Sequence, residues 1–167
     1  MNIRKTEIKD LQTVLNIYDN ARKFMVANGN TNQWSANNWP PKDLIVEDIN
    51  NGKSYVCVNE AGNVIGVFYY DYGHKIEPTY NHIENGNWIG DENYGVVHRI
   101  ASDGSEKGIG AFCLNYAFEK CRHLRIDTHE DNIPLQNLLK KLNFTKCGTI
   151  YVLNGTSPRI AFEKLDQ

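Results

Sequence analysis

The sequence has few of the features that mark secreted, metal-binding or membrane proteins. Its four cysteines form no CxxC pair and have no histidine at metal-ligand spacing, which argues against a zinc ribbon and a disulfide scaffold. No apolar run approaches the roughly 20 residues that a membrane-spanning helix needs. The first seven residues contain no apolar signal core either. We therefore expect a cytoplasmic protein with reduced, mostly buried thiols.

An excess of charge of either sign is also missing. Eighteen Lys and Arg against twenty Asp and Glu give a formal net charge of -2, so the chain has no overall basic field that could hold a nucleic-acid backbone. Hydrophobic residues make up 41% and charged residues 23%, the balance of an ordinary globular protein. We expect no nucleic-acid partner, no membrane partner, and either a monomer or a homodimer.

The periodicity of apolar residues predicts one mixed α/β domain over residues 1–167. Helices are predicted over residues 11–27, 41–50, 111–122 and 132–142. Strands are predicted over residues 3–6, 54–58, 64–71, 94–101, 124–128, 144–153 and 160–164. Residues 73–93 show neither pattern, and a loop of about twenty residues is long enough to suggest a function.

The most informative segment runs from His98 to Ala111, where a strand ends in a glycine turn and a helix begins. Gly108 and Gly110 remove two side chains at the helix start, whose exposed amides and positive dipole end suit a phosphate group. Lys107 adds a positive charge. The segment lacks the pattern of a nucleotide P-loop and the third glycine of a dinucleotide fingerprint. By itself it is also compatible with an ordinary strand-to-helix turn.

This turn resembles motif A of the GNAT superfamily of N-acetyltransferases, which follows the pattern Q/R-x-x-G-x-G/A. The matching residues here are 105–110 (SEKGIG), so the glycines agree and a serine replaces the leading Gln or Arg. Residues 127–144 resemble motif B of the same family, in which an Asn opens a helix that ends in a Tyr-x-Lys-x-Gly-Phe-like run. The order of the predicted elements fits as well, so the resemblance covers essentially the whole chain.

The resemblance implies a central, mostly antiparallel sheet of six to seven strands with about four flanking helices. It also implies acetyl-CoA as co-substrate and no metal. In the family, the strand before the glycine turn splays from its neighbour and pairs with the pantetheine arm, a role that would fall to the backbone of Ile100 and Ser102. Asn132 would contact the pantetheine end, and it also suits a helix N-cap. The pyrophosphate would lie on the amides of Lys107, Gly108, Ile109, Gly110 and Ala111.

Two residues depart from the family pattern. Ser105, in place of Gln or Arg, weakens one phosphate contact. Leu139 stands where many members have the Tyr thought to protonate the departing thiolate. Because a thiol with a pKa near 8.5 leaves largely as thiolate, we expect the chain to tolerate this loss. Tyr151, on the strand after motif B, is the remaining candidate acid, and the alternative is that it only packs in the core.

The proposed chemistry also needs a base. An amine acceptor arrives mostly as ammonium and must lose a proton before it attacks a thioester. His98 is our candidate, because it lies two residues before the cofactor-binding part of the strand and an imidazole pKa of about 6.5 suits proton transfer near neutrality. Glu84, in the long loop, is the rival. A histidine that merely fills the sheet face is the alternative interpretation.

Six residues lie in the segments that usually shape the acceptor pocket of the family: Trp34, Trp39, Trp88, Tyr94, His74 and His82. Singly, each aromatic residue could be a core or loop anchor. As a set, they predict a partly apolar or planar acceptor, or one whose ammonium packs on aromatic faces. The carboxylate of Glu84 could hold the positive charge of that acceptor.

The sequence therefore predicts an N-acetyltransferase that moves the acetyl group of acetyl-CoA to a small-molecule primary amine, by direct attack in a ternary complex. One alternative is a non-catalytic module that binds or senses acyl-CoA, which Ser105 and Leu139 keep open. The other is a protein or peptide N-acetyltransferase.

Overall fold

The computed structural model describes residues 1–166, which form one sheet of seven strands and four α-helices. The predicted domain extends to Gln167, which lies outside the described residues. No helix among residues 1–166 has the length and apolar character of a membrane span. The helices are α1 (Leu11–Ala27), α2 (Lys42–Asn50), α3 (Ile109–Cys121) and α4 (Ile133–Lys141). The strands are β1 (Asn2–Lys5), β2 (Ser54–Val58), β3 (Val64–Gly73), β4 (Tyr94–Ser102), β5 (His123–Thr128), β6 (Thr145–Val152) and β7 (Ser157–Leu165).

The strands lie in the order β1-β2-β3-β4-β5-β7-β6. Every neighbouring pair is antiparallel except β4 and β5. That pair is parallel because α3 carries the chain from the end of β4 back to the start of β5, and parallel strands need such a crossover. The expectation of a mostly antiparallel sheet of six to seven strands with four helices is confirmed.

β4 and β5 stay together only near their first residues. Their register pairs Gly95 with Leu124 and Val96 with Arg125, and within residues 1–166 it goes no further. β4 also contains a bulge against β3, at which Arg99 has a φ of 51°. Bulges bend a strand and redirect its side chains. The later part of β4 therefore leaves β5, and a wedge opens in the middle of the sheet.

The two faces of the sheet are covered differently. α3 and α4 cover one face, and the apolar residues between them and the sheet form the largest core cluster, which includes Phe68, Leu114, Ile126 and Leu139. On the other face, α1 and α2 pack over β2, β3 and β4 through residues such as Val14, Ile45 and Val67. This division leaves the second half of that face to be covered by something other than a helix.

Residues 74–93, between β3 and β4, cover the rest of that face, and we call them the covering segment. Tyr80 is buried against Val96 and Ile150 of the sheet. The indole N–H of Trp88 donates to the carbonyl oxygen of Tyr80 at 2.8 Å. A single helical turn (Pro78–Tyr80) interrupts a stretch that the sequence predicted to be irregular throughout. The segment is therefore a packed wall of the protein.

A buried carboxylate ties the covering segment to the sheet. Glu163 of β7 is fully buried. It shares hydrogen bonds with His123 Nε2 at 2.5 Å and Arg125 Nε at 2.9 Å, and it accepts one from the Ile89 backbone N–H at 2.5 Å. Burial raises the pKa of Glu163, but the bonds from His123, Ile89 and Arg125 outweigh it and leave the pKa below its usual value. The ionised form is therefore the one that the fold stabilises.

We expect Glu163→Gln to lower the free energy of unfolding by about 3 kcal/mol, because it leaves the buried Arg125 without its counter-charge. Urea unfolding at neutral pH measures the loss, with Glu60→Gln in an exposed turn as the matched control. The folded-state pKa of Glu163 is depressed, so its contribution exists above the unfolded value of about 4.3 and disappears as the pH falls through the folded value. The difference between wild type and variant should shrink over that range, and a constant difference would contradict the assignment.

Candidate active site

A cavity of about 440 Å³ opens where β4 and β5 diverge. His98 and Ile100 of β4 form one side, and Ile126 and Asp127 of β5 form the other. The remaining walls come from the loop between α1 and α2, the covering segment, the start of α4 and the β6–β7 hairpin. Elements that are distant in sequence therefore meet around the free edge of β4.

The glycine turn supplies unpaired amides next to this wedge. Gly108 is the N-cap of α3 with a φ of 83°, a left-handed conformation that glycine adopts without strain. The N–H of Phe112 bonds to the carbonyl of Gly108 at 2.9 Å, and among residues 1–166 no side chain caps the helix. The amides of the first turn, which belong to Ile109, Gly110 and Ala111, lack intrahelical partners by the geometry of any helix start. The turn can therefore bind a phosphate.

A histidine and a carboxylate form a hydrogen-bonded pair in the cavity wall. His98 Nε2 lies 2.8 Å from Glu77 Oε2, and both side chains are about one-fifth exposed. His98 Nδ1 lies 4.0 Å from Asp127 Oδ2, which is too far for a hydrogen bond. Asp127 is held in turn by the hydroxyl of Tyr80, which donates to Oδ2 at 2.6 Å. The imidazole thus has one anchored nitrogen and one that faces a second carboxylate.

Burial and hydrogen bonds fix the protonation states of Glu77 and Tyr80. Burial raises the pKa of Glu77, but the hydrogen bond from His98 and those from Thr79 outweigh it, so the pKa of Glu77 lies below its usual value. Burial also raises the pKa of Tyr80 far above its usual value, and the negative charge of Asp127 adds to that effect. Glu77 is therefore an ionised acceptor, and Tyr80 is a permanent donor.

An ion pair between Arg99 and Asp48 holds the bulge of β4 in place. Arg99 donates from Nε and Nη2 to the two carboxylate oxygens of Asp48, both at 2.9 Å. Its guanidinium lies 4.5 Å from the centre of the Tyr69 ring. The hydroxyl of Tyr18 donates to the carbonyl of Arg99 at 2.8 Å. The backbone of the bulge is therefore clamped from both α1 and α2.

The comparison with solved structures agrees with the resemblance in motifs. A GNAT-family acetyltransferase from Streptococcus agalactiae matches with a TM-score of 0.89 and 27% identity, over 99% of this chain and 95% of that one. The chain belongs to the GNAT superfamily. No family model matches the sequence, and no curated relative matches it either.

More distant structures share the fold of this GNAT protein. A ribosomal-protein-alanine N-acetyltransferase from Brucella melitensis matches with a TM-score of 0.66 and 16% identity, over 99% of this chain and 100% of that one. The Arabidopsis thaliana NAA60, solved in complex with a bisubstrate analogue, matches with a TM-score of 0.65 and 13% identity, over 97% and 95% of the two chains. At these identities, the likeness concerns the fold alone.

Several residues that the sequence assigned to the cofactor lie around the wedge. Ile100 and Asn132 line the cavity, and Ser102 ends β4 opposite Gly66. Asn132 is also the N-cap of α4, because its side-chain oxygen accepts from the Leu135 N–H at 3.3 Å. The remaining five, Lys107 to Ala111, form the glycine turn and the start of α3. The structure shows where these residues lie, and their roles in cofactor binding stay predictions.

The predicted acceptor residues divide into two groups. Trp34 and Trp39 line the cavity. Tyr94 lies outside its lining, buried under the covering segment with its ring 4.2 Å from the guanidinium of Arg125. Glu84 also lies outside the lining, because a strand-like bridge to Thr149 holds it on the outer side of the covering segment. Neither Tyr94 nor Glu84 is therefore placed to contact an acceptor in this cavity.

The structure also separates Tyr151 from the cavity. Its hydroxyl donates to Glu84 Oε2 at 2.9 Å, and that bond raises the pKa of Tyr151. Core packing of Tyr151 was the alternative that the sequence offered. The structure shows instead a hydrogen bond between exposed groups of Tyr151 and Glu84. Leu139, at the position of the usual Tyr, is fully buried in the core between α4 and the sheet. Neither position brings an acid to the wedge.

Sequence reasoning missed Glu77, Asp127 and Arg159, all of which line the cavity. Glu77 lies in the segment that has no periodicity, and Arg159 lies near the start of β7 with no motif of its own. Asp127 opens the segment that resembles motif B, but the resemblance assigned it no role. Their meeting depends on how β4, β5 and β7 pack, which no spacing in the sequence encodes.

We expect His98→Ala to raise the pKa of Glu77, because burial is then opposed only by the hydrogen bonds from Thr79 and no longer by the one from His98. A carbon-13 NMR titration of the side-chain carboxyls measures the change. His82→Ala is the matched control, since His82 is the first cause of the lowered pKa of Glu84. That variant should raise the pKa of Glu84 and leave Glu77 unchanged. An unaltered Glu77 in His98→Ala would show that the pair does not form in solution.

Proposed function

We propose that this GNAT protein is an acetyl-CoA-dependent N-acetyltransferase whose acceptor is a small primary amine. The observation that carries the proposal is the His98–Glu77 pair, at 2.8 Å, in the wall of a cavity that borders the free edge of β4. A base oriented by a carboxylate and placed beside a cofactor-binding edge is what deprotonation of an amine requires. The likeness to an acetyltransferase that is 27% identical supports the same reaction class.

The residues present fit acetyl-CoA. Beyond Val96, β4 has no strand on its β5 side within residues 1–166, so its backbone around Ile100 and Ser102 can pair with the pantetheine amides. The first turn of α3 can hold the pyrophosphate, and a side chain at Gly104 or Gly108 would meet nothing within 4 Å, so the turn is open to a bulky ligand. When bound there, acetyl-CoA supplies an acyl group activated as a thioester.

His98 is the proposed base. If Nε2 carries the proton that it shares with Glu77, Nδ1 holds the free lone pair and can take a proton from the acceptor ammonium. Glu77 then stabilises the imidazolium, as a carboxylate does in other oriented acid–base pairs. Asp127, 4.0 Å from Nδ1, places a negative charge where the ammonium binds. Proton removal and acceptor binding therefore use neighbouring groups.

The rest of the cavity wall supports direct transfer. Among residues 1–166, its lining includes no cysteine, serine or tyrosine. Cysteine and serine are the usual nucleophiles of a covalent acyl-enzyme, and Thr79 of the lining is already hydrogen-bonded to Glu77 at 2.8 Å. In the proposed reaction, the amine nitrogen bonds to the acyl carbon, the carbon–sulfur bond breaks, and the sulfur leaves as thiolate with a pKa of about 8.5. No dedicated acid is needed.

The walls favour a small acceptor over a protein. The covering segment closes one side of the cavity through Glu77 and Thr79, and the α1–α2 loop closes another through Trp34 and Trp39. Trp34 is buried, with its ring edge-on to Tyr18 at 5.7 Å between centroids. A peptide would need an open groove between these two segments. A small amine fits a cavity of about 440 Å³ directly.

We expect His98→Ala to lower kcat by about tenfold or more, because the acceptor then lacks its base. The affinity for acetyl-CoA should stay nearly unchanged, since the amides that bind it are backbone groups. Steady-state kinetics and calorimetric titration measure the two quantities. Tyr151→Phe is the matched control and should have wild-type kinetics, because its hydroxyl contacts only Glu84 outside the cavity. Unchanged turnover in His98→Ala would rule out the role.

A thiol-release assay separates the enzyme from an acyl-CoA sensor of the same fold. The protein is supplied with acetyl-CoA and a library of small amines, aminoglycosides and peptides. Release of CoA with small amines supports the proposal. Binding of acetyl-CoA without turnover on any acceptor favours the sensor, and turnover on peptides alone favours a protein N-acetyltransferase.

A further inference from the structure

Arg159 of β7 is a buried cation in the cavity wall without a carboxylate partner. It is 7% exposed and lines the cavity. Its Nη1 donates to Ser157 Oγ at 2.6 Å and to the Pro158 carbonyl at 3.0 Å. Among residues 1–166, its Nε and Nη2 have no hydrogen-bond partner, and no carboxylate lies within 4.0 Å of the guanidinium. Two of its three nitrogens are therefore free to bind a ligand.

The other arginines around this region are neutralised. Arg99 forms a two-point contact with Asp48, and Arg125 bonds to Glu163. Both arginines have a structural role, since their counter-charges are carboxylates of the protein itself. Removing a cation from water is costly unless a counter-charge compensates. In the cavity wall, Arg159 alone among the arginines of residues 1–166 has no carboxylate partner. Its buried charge therefore points to a negative group that a ligand supplies.

A negative group of the protein lies near Arg159 but does not bond to it. Asp127 pairs with Ala161 in the β5–β7 register, and Ala161 and Arg159 share one face of β7 because side chains alternate along a strand. Burial lowers the pKa of Arg159, and the charge of Asp127 partly opposes that effect. The guanidinium stays protonated, as arginine does in proteins. The cavity thus has a cationic site at Arg159 and an anionic site at Asp127 and Glu77.

We propose that the acceptor is a small amino acid, whose carboxylate binds Arg159 while its ammonium lies between Asp127 and His98. This inference rests on the proposed function and narrows the acceptor class from any small amine to one that also carries a carboxylate. A planar guanidinium with free Nε and Nη2 matches the two oxygens of a carboxylate in a two-point contact. Arg159 then orients the amine toward His98 and acts as a specificity-determining residue.

The test compares matched acceptors that differ in one group. The wild-type protein is assayed with acetyl-CoA and the common amino acids, and with the α-carboxamide and the decarboxylated amine of each. We expect kcat/KM for the best amino acid to exceed that of its carboxamide by about tenfold or more, as loss of a charged hydrogen-bond partner implies. Equal kcat/KM values for the two would overturn the inference while leaving the acetyltransferase proposal intact.

Two variants assign the preference to Arg159. Arg159→Met should reduce the ratio of kcat/KM between amino acid and carboxamide by about tenfold or more, and the ratio cancels any general loss of activity. Arg159→Lys, which keeps the charge but not the planar fork, should reduce it less and serves as the test if Arg159→Met does not fold. Arg122→Met removes an exposed, remote arginine and should leave the ratio unchanged. A preference that survives both changes at Arg159 overturns the inference.

A binding measurement covers the case in which no amine is acetylated. Trp34 and Trp39 line the cavity, so tryptophan fluorescence of the protein with CoA reports on acceptor binding without turnover. Amino-acid binding that weakens for the carboxamide and in the Arg159 variants supports the carboxylate site even if the acetyltransferase proposal fails. Absence of any difference between amino acid and carboxamide overturns it.

Discussion

The separation of β4 from β5 is the constraint on which the rest of this structure depends. A parallel pair whose register stops at Val96 leaves one edge of β4 without a partner in the middle of the sheet, although buried backbone groups normally require one. The ion pair of Arg99 with Asp48 keeps the bulge, and hence the separation, in place. A ligand with amide groups can form hydrogen bonds with the free edge of β4. The incomplete pairing of β4 and β5 therefore leaves backbone groups unpaired in the sheet and provides the basis of the site.

The covering segment forms one wall of the cavity at that wedge. It has almost no regular structure, and its position depends on buried polar contacts, chiefly the bond from the Ile89 N–H to Glu163 and the bond from Arg125 to the Gly90 carbonyl. Its other end carries Glu77 to His98. The same segment therefore buries the second half of one sheet face, closes the cavity and supplies the partner of the proposed base. Substitutions that loosen the covering segment should therefore affect the proposed reaction, because they shift Glu77 relative to His98.

The sequence predicted those parts of the site that a local pattern encodes. Gly108 and Gly110 mark the start of α3, and Asn132 marks the start of α4, because backbone conformation and capping depend on near neighbours. For isolated side chains, the sequence predicted correctly only some of those that lie at the cavity. His98, Trp34 and Trp39 lie at the cavity, whereas Glu84 and Tyr151 bond to each other outside it.

The order of helices and strands followed from the sequence alone, because periodicity, glycine and capping act over a few residues. The mostly antiparallel sheet was implied by the resemblance to the GNAT superfamily, and the phosphate-binding role of the glycine turn stays a prediction. Only the tertiary structure decided which charges face each other. Glu77, His98, Asp127 and Arg159 come from four separate elements, and their approach depends on strand order and on the wedge between β4 and β5. Long-range packing sets those distances, and hence decides that His98 has a carboxylate partner while Arg159 has none among residues 1–166.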